Sequence, residues 1–181
     1  MTTLTRTFDF AYHQLANNPQ EDCLVDKREG KWIKTSTSEY LSKAMKMSKG
    51  FIQLGIKAAK EAMVDSGFVN SENGKVDSSI ANRFGIISAS GIGGLSTIEK
   101  NSVVCAERGP KRISPFFIPS SLVNMLSGFI SIEHGLKGPS LSHVTACAAS
   151  THALADAVKT IMTGGADNIL VVGAESAVCG A

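Results

Sequence analysis

An α/β fold built on a mainly parallel sheet is what these 181 residues predict. Three stretches carry that expectation. Phe84-Gly85-Ile86-Ile87-Ser88-Ala89 is a short apolar run bounded by turn residues, the pattern of a strand covered on both faces. Leu141 to Thr145 is a second, β-branched approach, and beyond Cys147 the residues Ala148 to Met162 recur at helical spacing. Asn168 to Glu175 is a third apolar run, so strand, helix and strand follow one another at a length that implies a right-handed parallel βαβ unit.

The remaining elements follow in chain order. Cys23-Leu24-Val25 and Trp32-Ile33 flank the polar Asp26 to Lys31, which reads as a short hairpin with a charged tip. Ser36 followed three residues later by Glu39 is a capping-box signature. It opens a helical pattern through Leu41, Ala44, Met45, Ser48, Phe51 and Ile52, which continues through Ala59, Ala62 and Met63 to Gly67 as one long helix or two short ones. Gly55 weakens that helix by about 1 kcal/mol. Lys46, Lys49, Gln53, Lys57 and Lys60 fall at steps of three and four, which makes one face a basic stripe. Such a stripe is either a solvated face or a docking surface for an acidic partner.

Val69 to Asn82 is polar, lacks periodicity and reads as a loop. Ser90-Gly91-Ile92-Gly93-Gly94-Leu95 is a glycine-rich turn. As a dinucleotide fingerprint it fails, because Ser96 stands at the third glycine position and no acidic residue lies about 20 positions on. The three prolines of Arg108 to Pro119 are expected to forbid regular structure there. Leu122, Val123, Met125, Leu126, Phe129 and Ile130 mark a helix that is apolar on most of its circumference and therefore buried on several sides. Gly135 to Pro139 is a turn. In the helix after Cys147, Leu154, Val158, Ile161 and Met162 are expected to face inward and Asp156 and Lys159 outward, with Gly164-Gly165 ending it.

Composition narrows the function classes. Apolar content of 43%, charged content of 19% and a net charge of +2 describe a globular protein with no global argument for nucleic acid or a membrane surface. Cys23, Cys105, Cys147 and Cys179 show no CxxC pair and no Cys/His metal spacing, so free thiols and no metal site are expected. The first residues lack the apolar core of a signal peptide and no stretch is long enough to span a bilayer, which makes a cytoplasmic location the expectation.

Chemistry concentrates at Val144-Thr145-Ala146-Cys147-Ala148-Ala149-Ser150. Strand, sharp turn and helix put a thiol at the turn, small neighbours let a substrate approach, and the N–H groups of a first helical turn favour a thiolate. The other reading is a buried, inert cysteine, the commoner fate of the residue type. A nucleophilic thiol generally needs a base or an electropositive site. His152, five residues on, points about 140° around the helix from Cys147, and His143 sits about 13 Å up an extended chain. Both read as structural or surface histidines, and any imidazole serving Cys147 comes from elsewhere.

Five motifs together resemble a known family. Ser88 to Leu95, Gly109 to Pro119, Val123-Asn124-Met125, Gly135 to Pro139 and Thr145-Ala146-Cys147 are similar, in order and spacing, to β-ketoacyl-[acyl-carrier-protein] synthase II, from about Lys46 to Ala181. The resemblance implies a thiolase-like fold, of which this chain holds most of the first α/β half, and a homodimer in the intact family. It implies that Cys147 takes an acyl chain as a thioester from an acyl carrier protein, and that the malonyl form of the carrier then loses carbon dioxide and extends the chain by two carbons, with no cofactor. It further implies that the N–H of Cys147 is half of an oxyanion hole. Ile92 and Met125 then lie by the acyl pocket, and Lys46 and Lys49 in the carrier-docking region.

Two departures accompany this resemblance. The family's second half, which supplies two histidines, a lysine and a gating phenylalanine, has no counterpart in these 181 residues, so condensation by this chain alone is not expected. Residues 1–45 differ in texture from 46–181, and within them Glu29 to Trp32 and Ser36 to Tyr40 look like the start of an AMP-forming acyl-CoA ligase. The readings to be separated are therefore a partial condensing enzyme, a non-catalytic carrier-binding or dimerisation fragment, and a piece of an adenylate-forming ligase.

Overall fold

The structure, a computed structural model, describes residues 21, 24–28, 31–36, 39, 50–69 and 72–177. The chain divides into two compact units, 1–47 and 48–181. In the first, β1 (Leu24–Arg28) and β2 (Lys31–Thr35) form an antiparallel hairpin pairing Leu24 with Thr35 and Arg28 with Lys31. One bond of the expected capping box is present, the N–H of Glu39 donating to Ser36 Oγ at 3.2 Å, and the helical stretch 40–49 expected after it lies outside the described residues. Lys46 and Lys49 lie outside the described residues.

The second unit is a three-stranded parallel sheet in the order β4 (Ser140–His143), β3 (Phe84–Ala89), β5 (Asn168–Gly173). Ala89 pairs with His143 on one side and with Gly173 on the other. All six residues of β3 are buried, as a central strand with both faces covered must be. Strand alternation sends Ile87 and Ala89 to one face and Ile86 and Ser88 to the other. The first pair meets α6 (Ala149–Met162) through Ala149, Ala153 and Ala157. On the opposite face lies α5 (Asn124–His134), where Ser88 Oγ bonds Ser142 Oγ at 2.7 Å and Ser142 Oγ lies 3.1 Å from Ser127 Oγ. The Ser127 hydroxyl donates to the Asn124 carbonyl, so this polar seam is satisfied inside the core.

The helix α1 (Phe51–Asp65) runs unbroken through Gly55. A Cβ there would lie 2.5 Å from Leu126 Cδ1 and 3.1 Å from the Ala174 methyl, so the glycine's cost in propensity is offset by close approach of α1 to α5. Gln53, Lys57 and Lys60 are exposed, as the described part of the basic stripe requires. α5 buries Leu126, Phe129 and Ile130 completely or nearly so, each worth about 1.5–3 kcal/mol, and ends at Gly135 in the left-handed region.

Three expectations are corrected and one unassigned stretch gains an element. The stretch 69–82 is not featureless: Asp77 caps a short helix α2 (Ser78–Ala81), its Oδ1 accepting from the Ser79 N–H at 2.8 Å. Leu95–Arg108, unassigned from sequence, is a helix, α3, with no buried residue and therefore no apolar stripe to announce it. The prolines after it do not forbid structure. Pro110 opens a 3₁₀ turn (Pro110–Arg112), and Pro119 sits in the first turn of α4 (Phe117–Ser121), where its missing N–H costs no helical bond. Lastly, the inward face of α6 is the alanine row. Leu154, Val158, Ile161 and Met162 are exposed, Leu154 by 56% and Met162 by 81%, because methyl groups let the helix settle closely on the sheet.

Candidate active site around Cys147

The strand leading to the thiol stops at His143, two residues earlier than its composition suggests. Thr145 leaves the extended region, Ala146 takes φ of +50°, and Ala146–Ala148 form a 3₁₀ turn that feeds α6. Ala146 is the one non-glycine residue with positive φ among the described residues, a conformation that costs of order 1 kcal/mol and marks a turn held by its surroundings. The first bond of the turn runs from the Ala148 N–H to the Thr145 carbonyl at 3.1 Å. The N–H of Cys147 precedes it, in the position from which N–H groups leave a helical turn unpaired. Cys147 itself is exposed and has no disulfide partner, so it is not a buried cysteine.

The thiol opens on a cleft of about 440 Å³ at the carboxyl ends of β3 and β5, the usual place for a ligand on a parallel sheet. Its walls are Ala89 to Ile92, Ala146 and Cys147, Ala149 and Ser150, and Gly173 to Glu175. The lining is small and mostly apolar. At Gly173 a side chain would meet Ser150 Oγ, so glycine there keeps strand and helix close. Ile92 is half exposed on the rim, whereas Met125 is half-buried in the first turn of α5 and does not line the cleft.

Glu175 was not singled out by its sequence, yet it organises the glycine-rich turn. One carboxylate oxygen accepts from the N–H of Gly91 at 2.7 Å, from that of Ile92 at 2.9 Å, and from the Ser90 hydroxyl at 3.2 Å. Ser90 Oγ in turn accepts from the Gly93 N–H at 3.0 Å. The donors that could cradle a phosphate are thus occupied by the protein's own anion, which explains why the glycine pattern is not a nucleotide loop. A Cβ at Gly91 would sit 3.0 Å from that oxygen and 3.6 Å from Ala146 Cα, so this turn and the Cys147 turn abut. Only the late position of Glu175, at the end of a strand pointing at the turn, could have signalled it.

None of the described histidines lines the cleft that holds the thiol. His143 and His152 stack with ring centroids 4.0 Å apart, and neither lines the cleft. His134 is buried, its Nδ1 donating to the Gly74 carbonyl at 2.7 Å, a structural role. Among the described residues, His143, His152 and Asp156 form a group that could hold a metal.

Comparison with known proteins decides the family. Residues 22–180 match the family model for the β-ketoacyl synthase N-terminal domain. The chain belongs to the β-ketoacyl synthases. Its relatives include the 3-oxoacyl-[acyl-carrier-protein] synthase 2 of Vibrio cholerae, 44% identical over 142 residues, covering 77% of this chain and 32% of that protein. That of Coxiella burnetii is 40% identical over 136 residues, covering 75% and 31%. The chain thus spans about a third of the length of the curated relatives it matches. A type II polyketide ketosynthase solved with its acyl-carrier protein superposes with a TM-score of 0.53 at 25% identity, over 59% of this chain and 30% of that one. The ishigamide ketosynthase/chain length factor gives 0.58 at 21%, over 70% and 34%, a likeness of fold alone. The thiolase-like α/β fold expected from the motifs is therefore the fold of this chain. The family match begins at residue 22 and takes in the hairpin and the Ser36–Glu39 box on which the ligase resemblance rested.

Proposed function

We propose that this chain is the N-terminal part of a 3-oxoacyl-[acyl-carrier-protein] synthase and that Cys147 accepts the acyl chain. The observation that carries this reading is the exposed thiol on a constrained turn beside an apolar cleft, in a member of the β-ketoacyl synthase family. The Cys147 thiolate attacks the carbonyl carbon of a carrier-bound thioester. A new carbon–sulfur bond forms at Cys147, the carbon–sulfur bond to the carrier breaks, and the carrier thiol leaves with the proton that Cys147 gave up. The N–H of Cys147 stabilises the oxyanion of the tetrahedral intermediate. Ile92 borders the acyl chain, and Met125 acts on the pocket from behind through α5. Decarboxylation of malonyl-carrier and attack of its carbanion complete the family reaction, with groups beyond the portion matched here.

Lys46 and Lys49 belong to the carrier-docking surface on this reading, in a cytoplasmic homodimer whose second unit begins near residue 46. A second reading, a non-catalytic carrier-binding or dimerisation fragment, is favoured by the exposed apolar residues of α6. One experiment separates them. Incubation with acyl-carrier protein followed by intact-mass measurement is expected to show a single acyl adduct that Cys147→Ser abolishes. Carrier binding without any adduct would refute the acyl-enzyme reading.

A further inference from the structure

We propose that His143, His152 and Asp156 bind a first-row transition-metal dication of the zinc class and that the metal braces the turn carrying Cys147. The three side chains come from two elements. His143 ends β4, while His152 and Asp156 lie four residues apart on α6 and therefore share a face. Their donor atoms all lie within 4.8 Å of one another. Nε2 of His143 is 3.0 Å from Asp156 Oδ2, and Nε2 of His152 is 4.0 Å from the same oxygen. Two bonds of about 2.1 Å at a tetrahedral angle place donors about 3.4 Å apart, between these two distances. The stacked rings direct their lone pairs nearly parallel, so seating an ion requires the side chains to rotate.

The local bonding leaves these groups available. His143 Nε2 is shielded from solvent and makes no hydrogen bond, with Asp156 Oδ2 standing 3.0 Å away as an ion-pair contact. A buried polar atom left in this way is costly, and a metal satisfies it. The rings of His143 and His152 stack at 27° and cannot bond each other edge to edge, yet both turn a nitrogen toward one carboxylate oxygen. Thr145 Oγ1 lies 3.4 Å from His152 Nδ1, and in the metal-bound form Nδ1–H donates to it so that Nε2 carries the lone pair. Two imidazoles and one carboxylate suit zinc, cobalt or nickel and not calcium or magnesium, and three protein donors leave a position for water. The sequence hid the site because its spacing, nine residues and then four, is set by the turn and not by one element.

The position gives the site a consequence. His143 and His152 flank the segment 144–151, so one ion ties the end of β4 to the first two turns of α6 across the Ala146–Cys147 turn. The test is titration of the chelator-treated, tag-free full chain with Co2+, read by visible absorption, and with Zn2+, read by calorimetry and thermal unfolding. One equivalent is expected to bind and to raise the unfolding midpoint, with affinity at least about tenfold lower in His143→Gln, His152→Ala and Asp156→Asn. Binding should persist in Cys147→Ser. Far-UV circular dichroism shows whether each variant is folded, and His143→Gln keeps most of the volume of the half-buried ring. Absence of one-equivalent binding, or equal affinity in the three folded ligand variants, would overturn the proposal.

Discussion

The α6 helix offers two faces that could meet the sheet, and a pair of substitutions distinguishes them. Ala153 is fully buried against Ile87, Ala89 and the partly buried Ile169 and Val171. Ala153→Leu adds three carbons where a methyl already fills the gap between helix and sheet, and overpacking of this kind costs about 1–3 kcal/mol. Leu154 is 56% exposed, so less than half of a leucine's full burial worth is at stake and Leu154→Ala costs about 1 kcal/mol. The helical pattern taken alone predicts the reverse: an inward Leu154 would cost about 2–5 kcal/mol on truncation and Ala153 would tolerate leucine. Urea unfolding followed by circular dichroism, at concentrations where sedimentation shows a monomer, reads the difference. A change of about 2 kcal/mol lowers the midpoint by about 1 M. A neutral Ala153→Leu together with a Leu154→Ala loss of about 3 kcal/mol would refute the alanine-face arrangement.

Two further predictions concern the polar groups. Glu175→Ala leaves the N–H groups of Gly91 and Ile92 without their acceptor and is expected to destabilise by about 1–2 kcal/mol, moderated by the exposure of Glu175, while Glu175→Gln retains about half of the loss; an unchanged unfolding midpoint in both would argue against a pinned turn. Asp77 is held below its ordinary value by the Ser79 hydroxyl and N–H, and Asp167 by the Arg83 guanidinium. Because both are depressed in the folded state, their stabilisation is present above the ordinary carboxylate value and is lost as pH falls below about 4. Asp77→Asn with Asp167→Asn should flatten the acid limb of a midpoint-against-pH curve, and an unaltered limb would show that neither group contributes.

Much of the architecture is written in local pattern. The strand Phe84–Ala89 is readable because a central parallel strand needs apolar residues on both faces, and Gly135 stops α5 because φ of +71° suits glycine. The thiol at Cys147 is readable because strand, small residues and helix must meet in a turn there. Less was readable where no apolar stripe existed, as along Leu95–Arg108, or where proline had two meanings, as at Pro110 and Pro119.

By itself the sequence determined the parallel strand-helix-strand unit, the family and the place of the cysteine in it. Tertiary structure alone decided which face of α6 meets the sheet, that Glu175 occupies the glycine-rich turn, and that His143 and His152 stack over one carboxylate. The reason is physical. Periodicity reports which side chains could share a face, whereas the distance between a helix and a sheet, and the meeting of residues 84 positions apart such as Gly91 and Glu175, depend on how separate elements close on one another.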